Sequence, residues 1–181
     1  MSDSAEHAPV AVDREAIVAD LTACAVDLHH LLDGATSERL RAPSDGTDWT
    51  NEELLFHMVF GFLVVRRLLR LVRVVSTLPP WMGRAFAGLL DTCRHPFHRV
   101  NYVGARGGAR VFNRHRMGRL CDRTITALVR SLGAEPEERL HRGMPFPTTW
   151  DPYFEPYMAL ADVYAYPVLH YAHHRAQLTL S

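Results

Sequence analysis

A chain of 181 residues, 48% hydrophobic and 22% charged, is long enough to bury a full core and has the balance of a soluble globular protein. Its 20 basic and 20 acidic residues cancel, so no global positive charge argues for a nucleic-acid partner. Every basic residue is Arg, which removes Schiff-base and phosphate-loop lysine chemistry and points to a GC-rich coding origin. Cys24, Cys93 and Cys121 are odd in number and lack C-x-x-C spacing, so neither a disulfide framework nor a zinc ribbon is expected and the cytoplasm is the natural compartment. Residues 1–12 are polar, with no basic or apolar stretch of a signal peptide, and read as a disordered tail before one domain over 13–181.

The first helix is expected from an Asp13 cap to Asp33, stopped by Gly34, with Ile17, Leu21, Ala25, Leu28 and Leu32 as its apolar stripe. His29 and His30 near its C-terminal end read as surface residues. Pro43, Asp45 and Gly46 mark a turn-rich connection holding one helical turn at 37–41. Thr50 and Glu53 form a capping box that starts a second helix running from Asn51 to about Ser76, ahead of Pro79 and Pro80. Its apolar run, 54–65, is too short to span a bilayer before Arg66 and Arg67, so a buried bundle helix is expected and no membrane partner. Arg66, Arg67, Arg70 and Arg73 make a basic stripe that is either a solvated face or a receiver for an anionic ligand.

Residues 81–110 are the least regular part, with a short helix over 81–93 and a segment, 97–106, expected to cross the face of the bundle. Asn101, Tyr102 and Arg106 are its candidates for contacting substrate, because long insertions between core helices commonly do so. Gly107 and Gly108 follow no strand and make no dinucleotide fingerprint. A third core helix runs from Val111 or Asn113 to Leu132, with Met117, Leu120, Cys121, Thr124, Leu128 and Leu132 inward. After a short polar helix near 135–139, the aromatic, proline-rich stretch 144–150 is expected to lie over the bundle as a lid or wall. The last helix starts near 159–162 and contains Pro167, and no stretch sustains the alternation of a strand.

The chemistry concentrates in that last helix. His170 and His174 are four residues apart, so both imidazoles project from one face and can share a metal ion, while His173, three from His170, competes for the same role. A third ligand must come from elsewhere, and His57, two turns into the second helix, is the best candidate. Three imidazoles from two helices leave coordination positions open, as in a catalytic zinc site. A packed core histidine and a solvated histidine tract are the plain alternatives.

The segment Trp49, Thr50, Glu53, Leu54, Leu55, His57 resembles the W-[ST]-x-x-E-[LV]-L-x-H motif of the DinB-like (YfiT-like) metalloenzyme superfamily. His170, His174, Arg175, Gln177 and Leu178 resemble the same superfamily's closing H-x-x-x-H-R-x-Q-[LIV] motif. The resemblance implies an all-α, up-down-down-up four-helix bundle, here with long insertions between helices, and often a homodimer. It places the ligands on His57, His170 and His174, leaves His173 outside, and sets Arg175 and Gln177 behind the ligands. It further implies zinc or nickel and, in the best-understood members, a low-molecular-weight thiol of the mycothiol type used in S-transfer or isomerisation of a small molecule. Glu53 or Asp162 would then orient a ligand or act as base. Two alternatives stand beside this: a metal-dependent hydrolase or cyclase-like enzyme that uses water, and a non-catalytic dimeric binding or stress-associated protein.

Overall fold

The structure, a computed structural model, describes residues 11–92 and 94–180, leaving aside the side chains of residues 94–98 and 101. Most of the expected tail lies outside these residues, as do Cys93 and the side chain of Asn101. Val12 is fastened, since its N–H donates to Glu137 Oε1 at 2.8 Å.

Four long helices make the bundle: α1 (Arg14–Gly34), α3 (Asn51–Val75), α6 (Arg114–Gly133) and α8 (Leu160–Arg175), with a single turn α2 (Ser37–Arg41) between the first two. Their starts are chemically specified. Asp13, Thr36, Thr50 and Asn113 each accept an N–H of the first turn, and the Thr50–Glu53 capping box is complete. Buried Leu, Val, Phe and Met side chains at helical spacing fill the centre, with Leu21, Leu28, Leu54, Leu55, Phe62 and Leu69 almost wholly enclosed.

Side-chain pairs fix the helix directions. Arg14 at the start of α1 donates to the carbonyl of Leu132 at the end of α6, and Arg73 at the end of α3 donates to Ser131 of α6 and Tyr164 near the start of α8. One end of the bundle thus gathers the start of α1, the ends of α3 and α6, and the start of α8, which is the up-down-down-up order. The opposite end gathers the start of α3 and the end of α8. His57 and His174 meet there.

Two expectations change. Residues 94–111 form a helix, α5 (Arg94–Val111), preceded by α4 (Pro80–Thr92), rather than an irregular crossing. At Gly108 a Cβ would stand 1.9 Å from the Phe56 ring, so the glycine permits close packing of α5 on α3. Two strands, β1 (Gly143–Pro145) and β2 (Tyr157–Ala159), pair antiparallel with Met144 opposite Met158 and pin the ends of the connection between them. At three residues each they are too short to show alternation in sequence. Within the basic stripe on α3, Arg73 is engaged by Glu135, Ser131 and Tyr164, while Arg67 and Arg70 are exposed. The short helix α7 (Glu137–Leu140) follows α6 as expected. No helix among the described residues is long and apolar enough to cross a membrane.

Candidate metal centre

His57 enters from α3, and His170 and His174 enter from α8, where their four-residue spacing puts both rings toward α3. One nitrogen from each of the three lies within 4.8 Å of the other two. His57 Nε2 stands 3.1 Å from His174 Nε2, and the ring centroids are 4.6–5.0 Å apart. Two imidazole ligands on a tetrahedral ion at about 2.0–2.1 Å are separated by about 3.3 Å, so the observed spacing fits a shared cation. His173, by contrast, turns to Tyr153, whose hydroxyl is 3.2 Å from its Nδ1.

The surroundings favour neutral rings. His57 and His170 are buried, and burial, followed by the neighbouring imidazoles, drives the His170 pKa well below its ordinary value. Burial also lowers that of His174, although its bond to Gln177 opposes the shift. Gln177 Oε1 lies 2.7 Å from His174 Nδ1. An amide oxygen accepts only, so Nδ1 carries the proton and Nε2 presents its lone pair to the other two rings. Gln177 is itself held in place: its carbonyl accepts the Asp45 N–H at 2.8 Å, and two residues on Thr179 is clamped by the buried side chain of Asn51. Neither Asn51 nor this clamp was visible as a signal in the sequence, because an Asn directly after an N-cap residue reads as helix start and nothing more.

The other candidates fall in different places. Glu53 has both carboxylate oxygens engaged, Oε2 by the Thr50 N–H at 3.1 Å and Oε1 by Arg106 at 3.3 Å. Asp162 accepts the Ala159 N–H at 2.8 Å as the cap of α8. Eight residues before His170, it lies about 12 Å away along the helix axis and does not join the cluster. Arg175 pairs with Asp27 of α1 at 2.9 Å, and Tyr171 donates to the same carboxylate, so this arginine ties two helices together rather than supporting a histidine. Tyr102 and Arg106 connect to the histidines through Trp49. Trp49 lies on His57 with ring centroids 4.5 Å apart and on Tyr102 at 6.1 Å, and Arg106 donates to the Tyr102 hydroxyl at 3.3 Å. One wall is therefore Trp49, Tyr102 and Arg106.

The opposite wall comes from the connection 146–156. Tyr153 meets His173, and Tyr166 of α8 lies 5.9 Å from His170 while donating to Asp151 at 2.8 Å. Burial, then Asp151, pushes the Tyr166 phenol up, so it remains a donor. Asp151 and Tyr166 carried no motif that would have singled them out. Gly61 carried one in hindsight: it is four residues after His57, on the same helix face.

No family model and no curated protein matches this sequence. Among solved structures, the fold is similar to YfiT from Bacillus subtilis, described as a probable metal-dependent hydrolase with an unusual four-helix bundle topology, at a TM-score of 0.56. Sequence identity is 17%, and the likeness covers 96% of this chain and 87% of that one. At that distance the shared property is architecture, and the chain has a YfiT-like four-helix bundle fold.

Proposed function

We propose that this chain is a metal-dependent enzyme acting on a small molecule, with His57, His170 and His174 as ligands of one divalent ion. The observation that carries the reading is the cluster itself: three imidazoles, two of them held neutral by burial, with nitrogens within 4.8 Å of one another. Protonated rings packed this closely would repel, whereas neutral ones offer three lone pairs to one cation. When bound, the ion would supply Lewis acidity and lower the pKa of a thiol or water held beside it.

Around it, this chain's residues have separable tasks. Gln177 fixes the tautomer of His174. Trp49 lies on His57 and restricts its ring, and Arg106 with Tyr102 offers donors to an anionic or polar substrate. Thiol transfer or isomerisation is the reading we prefer, with a mycothiol-type thiol and zinc or nickel as metal. Both candidate bases, Glu53 and Asp162, are occupied in helix caps, and forming a thiolate demands less of a base than activating water. A hydrolase that uses water is the second reading, supported by the likeness to YfiT. A homodimer is the assembly that the motif resemblance favours.

Metal analysis of untagged protein beside the His170→Ala, His174→Ala double variant tests the centre. About one zinc or nickel per chain, absent from the variant, is expected; little metal in both, with none taken up on addition, would overturn it. Activity screens with and without added thiol then separate the two chemistries.

A further inference from the structure

On α3, His57, Gly61, Val64 and Leu68 recur at spacings of four, three and four and therefore share one face. On α8, His174, His170 and Tyr166 do the same in the antiparallel direction. Moving from the histidines toward Leu68 and Tyr166 follows a single groove between the two helices. It encloses a cavity of about 90 Å³ lined by Gly61, Val64, Leu68, Trp150, Phe154 and Tyr166. Asp151 is also in its lining, with both oxygens engaged, by the Tyr166 hydroxyl at 2.8 Å and the Tyr153 N–H at 2.9 Å. The His170 ring borders Gly61 so closely that a Cβ there would be 2.9 Å from its Nδ1. The cavity and the histidine cluster are thus neighbours: Gly61 and Tyr166, which line the cavity, both border the His170 ring.

We propose that this cavity is a substrate subsite for a short apolar group. The proposal rests on the metal-enzyme reading above and narrows its substrate class. The lining is chiefly aliphatic and aromatic, with the Tyr166 hydroxyl and the Asp151 carboxylate paired to each other, and such a lining rewards alkyl groups over charged ones. At about 30 Å³ per non-hydrogen atom, the volume holds about three such atoms, a propyl or isopropyl group. The polar side of the site, Arg106 and Tyr102, lies across the histidines on α5. The substrate class that follows is a small molecule with a polar or anionic end and a short aliphatic end, its reacting group between them.

The test compares acetohydroxamate with isobutyrohydroxamate, titrated into zinc-loaded and metal-free protein and followed by methyl NMR of Val64 and Leu68 and by calorimetry. Isobutyrohydroxamate should bind about tenfold tighter, as two extra buried carbons imply, and should alone shift those methyls. Val64→Phe, which fills the cavity, should abolish the preference. Val64→Ala, which enlarges it, should move the preference to pivalohydroxamate. Equal affinities and unshifted methyls, with zinc tightening both ligands, would overturn the subsite and leave the metal centre standing. Selective methyl shifts that zinc does not strengthen would retain the subsite and overturn the metal reading. Neither effect would overturn both.

Discussion

The two ends of the α3–α8 seam each bury a polar cluster, and the clusters are opposite in kind. At one end Arg73 donates to Glu135 at 2.6 Å, Ser131 at 2.6 Å and Tyr164 at 2.9 Å, while Arg139 and Tyr164 complete the network. Donors meet acceptors and positive meets negative, so the cluster is complete without any addition. At the other end, about 24 Å along α3, three like groups face one another. Their lone pairs converge and complement a cation, not each other. Buried groups that complement one another hold a fold together, whereas buried groups that repeat one another mark a place for a ligand.

The contrast is broken most forcefully by exchanging the outcomes of two variants. His174→Ala should remove metal almost completely, from about one ion per chain to near none by mass spectrometry, while changing the stability of the metal-free chain by less than about 1 kcal/mol. Arg73→Met should do the reverse. It strands Glu135, whose side chain is only 5% exposed, with one exposed arginine partner at 3.3 Å. The expected cost in urea unfolding is about 3 kcal/mol, the lower end for a broken buried pair because Arg73 itself is one-quarter exposed, with metal content unchanged. If His174→Ala unfolds the chain or Arg73→Met strips its metal, the division of labour along the seam is wrong.

Much of this was legible in the sequence. The caps at Asp13 and Thr50 announce two of the four bundle helices, because a capping side chain and its N–H target lie within three residues of each other. The histidine pair was legible for the same reason: four-residue spacing on a helix is a local statement. What was not legible depends on pairing across the chain. Arg73 reads like its neighbours Arg66, Arg67 and Arg70 until Glu135, 62 residues on, is seen beside it. Asn51 looks like an ordinary first-turn residue until Thr179 docks on it. Asp162 and Glu53 both read as candidate bases; the cap role of Glu53 was legible from Thr50 three residues before it, whereas that of Asp162, on the Ala159 N–H, was not. Local chemistry claims a carboxylate three residues into a helix before function can.

Behind the ligands, Gln177 sharpens the comparison at intermediate size. Its amide oxygen is the group that gives His174 an asymmetric setting, 2.7 Å from Nδ1. Gln177→Leu should weaken metal affinity about 10–100-fold, measured by competition with a chelator, without abolishing binding or unfolding the bundle. An unchanged affinity would mean that the histidine cluster needs no support from outside, and that the C-terminal clamp on Asn51 serves the fold alone.

The last expected effect is a pH dependence at the histidine end of the seam. Burial holds the pKa values of His170 and His174 below the ordinary 6.5, so the folded, metal-free chain binds fewer protons than the unfolded chain once pH falls below that value. Stability is therefore full above about pH 6.5 and declines as pH drops through the window beneath it, by at most about 1.4 kcal/mol per pH unit for each ring. The network around Arg73 contains no histidine. Urea unfolding of chelator-treated protein between pH 7 and 5 should show the decline, and His170→Leu should flatten it. A slope untouched by His170→Leu would assign the acid sensitivity elsewhere and remove the argument that burial keeps this ring neutral for a cation.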